Sequence, residues 1–150
     1  MTATIHYEGN LRCNATHLQS NTQIETDAPT DNRGKGQRFS PTDLVCTALG
    51  TCMATTMAIK ATGMQIELKG LTVDVKKHMA SEPRRISKID VKVSFPSSLT
   101  LDEKDKIILQ RTGDNCPVVK SLHPDIVLNI EYQYLAATAY ADNLPGGFSE

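Results

Sequence analysis

The chain has no tryptophan and, across 150 residues, only four tyrosines and three phenylalanines. Few aromatic faces are available for unstacked bases. Sixteen basic residues against 17 acidic ones leave no positive field to follow a phosphate backbone. Nucleic acid is excluded as a partner on both counts. Long apolar runs are missing too: none approaches the about 18 residues that cross a bilayer, and the opening MTATIHYEGN has no apolar signal core. Composition therefore points to the cytoplasm, with no membrane partner. Internal repeats and low-complexity blocks are absent, so a single domain over 1–150 is expected.

Missing motifs narrow the chemistry further. No two of the four cysteines form a CxxC pair, and His6, His17, His78 and His123 are scattered singly, so the local ligand spacing of a zinc site is lacking. No serine elbow is present, and the glycines of NRGKGQ follow no apolar strand, which makes them a loop rather than a phosphate cradle. No metal and no cofactor are expected.

What is present is a chain of alternating patterns. TATIHYEG and TQIETD alternate apolar and polar residues and predict strands with one wet face, followed by a loop over APTDNRGKGQR. The segment from Ser40 to Gly63 carries a full set of helix signals: Ser40 as N-cap, Pro41 at the first helical position, Asp43 three residues after the cap and Gly63 as the stop. From Leu44 to Ile59 this helix has no charge, as expected of a buried, central helix. Gly50 inside it costs roughly 1 kcal/mol of helix propensity, which close packing should offset.

Downstream, IELKGLTVDVKKHM and RRISKIDVKVSF predict a long hairpin across ASEP. TLDEKDKIILQRTGDN predicts an amphipathic helix opened by a Thr100–Glu103 capping box, and CPVVKSL a short helical turn with Cys116 at its cap and Pro117 first. DIVLNIEYQYL predicts the last strand, and 136–150 an arm without period.

The chemistry rests on the cysteines. Cys46 and Cys52 lie six positions apart on one helix, about 240° around it, so they cannot bond to each other. Cys46 reads as a core thiol and Cys13, beside Arg12, as a bystander. Cys116 at a helix cap faces unpaired N–H groups, a position that should lower its pKa. Cys52, mid-helix, has no local activator.

The segment SPTDLVCTALGTC, with proline eleven residues before Cys52, and CPVVKSL ahead of a final strand together resemble the OsmC/Ohr family of organic hydroperoxide resistance and osmotically inducible proteins. The likeness spans nearly the whole chain. It implies an α+β fold in which two chains intertwine as a homodimer, with antiparallel sheets wrapped around central helices and active sites at the interface. It also implies that Cys52 attacks an organic hydroperoxide, that Cys116 resolves the resulting sulfenic acid as a disulfide, and that an external dithiol resets the pair. The family commonly carries an acid directly after the proline, where this chain has Thr42 and then Asp43, and its activating arginine comes from the region holding Arg12, Arg33 and Arg38. The alternative implied by the same pair is a redox-sensing or small-ligand-binding dimer without efficient turnover.

Overall fold

A computed structural model describes residues 1–134; the expectation for 136–150 lies outside the described residues. The N-terminal sheet comprises β1 (Ala3–Gly9), β2 (Arg12–His17) and β3 (Gln23–Asp27), antiparallel in that order. A 3-10 turn over Thr30–Asn32 leads to the long helix α1 (Pro41–Gly63). Then come β4 (Thr72–Ser81), β5 (Arg84–Phe95), α2 (Glu103–Asp114), the short α3 (Pro117–Ser121) and β6 (Val127–Tyr134), with β4-β5-β6 forming the second sheet.

The start of α1 follows its sequence signals. Ser40 accepts from the Asp43 N–H at 3.1 Å while Asp43 accepts from the Ser40 N–H at 2.8 Å, a reciprocal capping box. Leu49, Met53, Met57 and Ala61, each four residues after the last, form a fully buried stripe against Ile89, Val91, Val93 and Phe95 of β5. Where α1 crosses β4, a Cβ on Gly50 would lie 3.1 Å from Val75 and 3.3 Å from Val73, so the glycine permits the close packing that its helix cost required. The opposite side of α1 is open among the described residues, with Ile59 77% exposed. By length and composition alone α1 could span a bilayer, which corrects the expectation that no run reaches that length. Its packing against β4, β5, α2 and α3 accounts for that apolar character.

Four local expectations need correction. The first hairpin contains β2, reached through Asn10 and Leu11, both in the left-handed region (φ 51° and 63°). β4 starts at Thr72 rather than Ile66, because Gln65 and Gly70 sit at positive φ and bend the chain first. α2 is capped by Asp102, whose carboxylate accepts from the Asp105 N–H at 2.7 Å, and not by a Thr100–Glu103 box. Finally, β6 runs parallel to β5, so the second sheet is mixed while the first is wholly antiparallel. The crossover through α2 and α3 makes the parallel pairing possible. The α+β class stands.

The N-terminal sheet sits apart from this core. None of its strands packs extensively on α1, α2 or the second sheet. The register puts Ile5, Ala15 and Ile24 opposite one another on one face, with Tyr7 and Cys13 beside them. Ile5, Tyr7 and Ile24 are 62%, 66% and 47% exposed among the described residues, an apolar face largely open to solvent.

Candidate functional site: a facing thiol pair

Cys52 lies on α1, half-buried, and Cys116 is fully buried at the N-cap of α3; both are free thiols. α1 packs on both α2 and α3, and that packing sets the two thiols side by side. The other two cysteines stay out of the pair. Cys46 is buried and lines an open cavity of about 460 Å3 with Arg38, Asp43 and Lys77, and Cys13 lines a second of about 340 Å3 near Pro41 and Thr42. Neither cavity includes Cys52 or Cys116.

The two thiols are electrostatically unequal. At Cys52 partial burial opposes ionisation, but the Val118 N–H, the Cys116 thiol and the Thr56 hydroxyl, 3.9 Å from the sulfur, together hold the thiol below its ordinary value. At Cys116 deeper burial dominates. The Val119 N–H opposes it, but the adjoining Cys52 sulfur adds to it, and the thiol is pushed up. The expectation that the helix cap would activate Cys116 is therefore corrected. The Val119 and Val118 N–H groups of the turn do favour the Cys116 thiolate, but burial outweighs them, and the Val118 N–H favours the Cys52 thiolate as well. Neither Asp114 nor Lys120 acts on Cys116; Asp114 accepts the Tyr132 hydroxyl at 2.8 Å. Burial likewise pushes Cys46 up, in keeping with a core thiol.

Among the described residues no arginine acts on Cys52 within the protomer. Arg12 is the most firmly held of the three in the expected region. Its guanidinium makes a two-pronged contact with the buried carboxylate of Asp27 at 2.7 and 2.9 Å and touches Gln37 at 3.4 Å. Arg38 pairs with exposed Glu25 at 2.7 Å, and Arg33 is exposed, in left-handed backbone. Asp43 is committed to its capping box and to Lys77, 2.6 Å from its other oxygen. Lys77 reaches over from β4 and also donates to Ser40 and Thr42, at 2.9 and 2.8 Å. Thr56, Val118, Asp27 and Lys77 carry no motif that sequence reading could have singled out. Only the alternation along β4, which turns Lys77 to the same side as Val73 and Val75, hinted at its inward course.

Residues 34–131 match the OsmC-like protein family. A solved structure of a candidate osmotic stress induced and detoxification response protein from Psychrobacter arcticus 273-4 is 47% identical, with a TM-score of 0.84, over 89% of this chain and 96% of that one. An organic hydroperoxide resistance protein, OsmC, from Legionella pneumophila is 12% identical with a TM-score of 0.69, covering 87% and 94% of the two chains. The organic hydroperoxide resistance protein OhrB of Bacillus subtilis is 17% identical with a TM-score of 0.63, covering 89% and 98%. At those identities the last two show the shared fold alone. No curated protein matches the chain. With the family match running from the loop before α1 into β6, across both thiols, the chain belongs to the OsmC-like protein family.

Proposed function

We propose that this chain is a thiol-dependent peroxidase that reduces organic hydroperoxides to alcohols in the cytoplasm, as part of oxidative-stress defence. The observation that carries the reading is the inequality of the facing thiols: the Cys52 thiol is held below its ordinary value and burial pushes the Cys116 thiol up. Family membership, with hydroperoxide resistance proteins among the structural neighbours, supports the same chemistry.

The Cys52 thiolate attacks the distal oxygen of the hydroperoxide. The O–O bond breaks, the alkoxide leaves with a proton as alcohol, and Cys52 becomes a sulfenic acid. Cys116 then attacks that sulfur, releasing water and forming the Cys52–Cys116 disulfide. An external dithiol reduces it in two exchange steps and leaves as its own disulfide. The facing thiol is placed to intercept the sulfenic acid.

The working unit is a homodimer. The apolar face formed by Ile5, Tyr7 and Ile24 and the open side of α1 are the surfaces that a second copy would cover. The cation over Cys52 comes from that second copy. Arg12 is the best-prepared source, since Asp27 holds it in one orientation at a cost already met in folding.

The test is turnover of cumene hydroperoxide with excess dithiol by the parent protein and by Cys52→Ser, Arg12→Ala and Arg12→Lys. Sustained consumption in the parent, none in Cys52→Ser and at least about a tenfold loss in both Arg12 variants is the expected pattern. Disulfide formation without sustained consumption would turn the reading toward a redox sensor.

A further inference from the structure

The mechanism leaves one polar group near Cys116 unused. Tyr132, on β6 opposite Val93, places its hydroxyl at the C-terminal end of α2. It donates to the Asp114 carboxylate at 2.8 Å and shares a second contact with the Gln110 carbonyl at 3.1 Å. Gly113 is what lets it in. A Cβ there would lie 2.8 Å from the tyrosine oxygen and 3.1 Å from the Met57 sulfur on α1. Only Asn115 and Cys116 separate the end of α2 from α3, and both are tied back to the last turn: Cys116 N–H to the Gly113 carbonyl at 3.1 Å and Asn115 N–H to that of Thr112 at 3.3 Å. Whatever fixes Gly113 and Asp114 therefore fixes the Cys116 sulfur against Cys52.

We propose that Tyr132 is a positioning residue for the resolving thiol: its hydroxyl clamps Asp114 and the end of α2, which holds Cys116 in line for closure on Cys52. The proposal rests on the reading of Cys52 and Cys116 as a redox pair. Its physical content is orientational. Disulfide closure demands an S–S separation near 2 Å and a torsion near 90°, so a turn free to swing spends most of its time outside that geometry. Burial pushes the Tyr132 phenol far above its ordinary value, which keeps it a donor at all working pH values.

The closing experiment needs no peroxide. In a Cys13→Ser background, excess aromatic disulfide at pH 7 first forms a mixed disulfide at Cys52 and releases one aromatic thiolate. Cys116 then attacks the Cys52 sulfur and releases the second, so the two steps appear as two absorbance phases, with mass mapping to assign the final disulfide. Tyr132→Phe should leave the first phase within about twofold of the parent and slow the second about tenfold, the size expected for losing a hydrogen bond to a charged group. Asp114 is exposed, so Asp114→Ala tests the same clamp with little risk to folding. It should slow the second phase equally, and the double variant should be no slower than either single one. A second phase at the parent rate in both single variants, or both phases slowing together, overturns the proposal. Absence of a second phase in the parent removes the thiol-pair reading itself, and the clamp with it.

Discussion

The Val118 N–H favours the thiolate of Cys52, although Val118 belongs to the helical turn that Cys116 caps. The turn offers donors both to its own cap residue and to the neighbouring helix, and burial makes the cap residue the weaker acid of the two. Two cysteines with identical intrinsic chemistry thereby differ in acidity, Cys52 the stronger acid of the two.

If donors make Cys52 reactive, removing one must show. Thr56→Val deletes the hydroxyl 3.9 Å from the sulfur while keeping the side chain's volume. The Cys52 pKa should rise, and alkylation of Cys52 at a pH where the thiol is mostly protonated should slow about fivefold, the equivalent of about 1 kcal/mol. Thr56→Ser should stay near the parent rate. An unchanged rate in Thr56→Val would mean that the hydroxyl does not act on the sulfur.

Acid should destabilise the fold through three carboxylates. The Arg12 pair holds Asp27 below the usual carboxylate range in spite of burial. Burial would raise Asp43, but Lys77 and the Ser40 cap outweigh it. Asp90 is lowered furthest, by Lys88 first and then by His78 and Asn129. A carboxylate with a folded value below its unfolded value binds protons more readily when unfolded. Its contribution is thus complete above the unfolded value near pH 4 and is lost as pH falls through the folded one. Denaturation midpoints should fall steadily from about pH 4 downward, less steeply in Asp90→Asn. A midpoint that does not change between pH 5 and 2.5 would contradict this.

Two glycines in helices should respond to alanine with opposite signs. Gly63, the last residue of α1, has nothing within 4 Å of a Cβ, so Gly63→Ala should stabilise by up to about 1 kcal/mol. Gly113→Ala would press on Tyr132 and Met57, a contact expected to cost about 1–3 kcal/mol and to exceed the propensity gain. Denaturant unfolding of the two variants beside the parent measures both, and stabilisation by Gly113→Ala would contradict the close approach.

The parts of the fold that were legible were those written locally. The α1 boundaries stood in Ser40, Pro41, Asp43 and Gly63, and the cap of α3 in Cys116 and Pro117. β2 was not legible, because RCNATH lacks clean alternation and its turn puts Leu11, rather than the usual glycine, in left-handed backbone. The parallel partner of β5 depends on a crossover, which no local pattern encodes. At the site, the two thiols were visible as residues and their pairing through family resemblance. Their unequal acidities were not, because the decisive groups, Val118 and the burial of Cys116, meet Cys52 only through tertiary packing. Lys77 was hidden for the same reason: its three oxygen partners, on Ser40, Thr42 and Asp43, lie at the start of α1, more than thirty residues away in sequence.

The most direct test of the central claim is to expose the reduced protein to one equivalent of an organic hydroperoxide and to map its thiols by mass. One Cys52–Cys116 disulfide per chain, formed within seconds, with Cys13 and Cys46 still free, is the predicted result. Cys116→Ser should stop at a sulfenic acid on Cys52, and Cys52→Ser should consume no peroxide. A folded protein in which Cys52 and Cys116 both remain reduced, or one in which Cys52→Ser consumes peroxide as the parent does, would contradict the assignment.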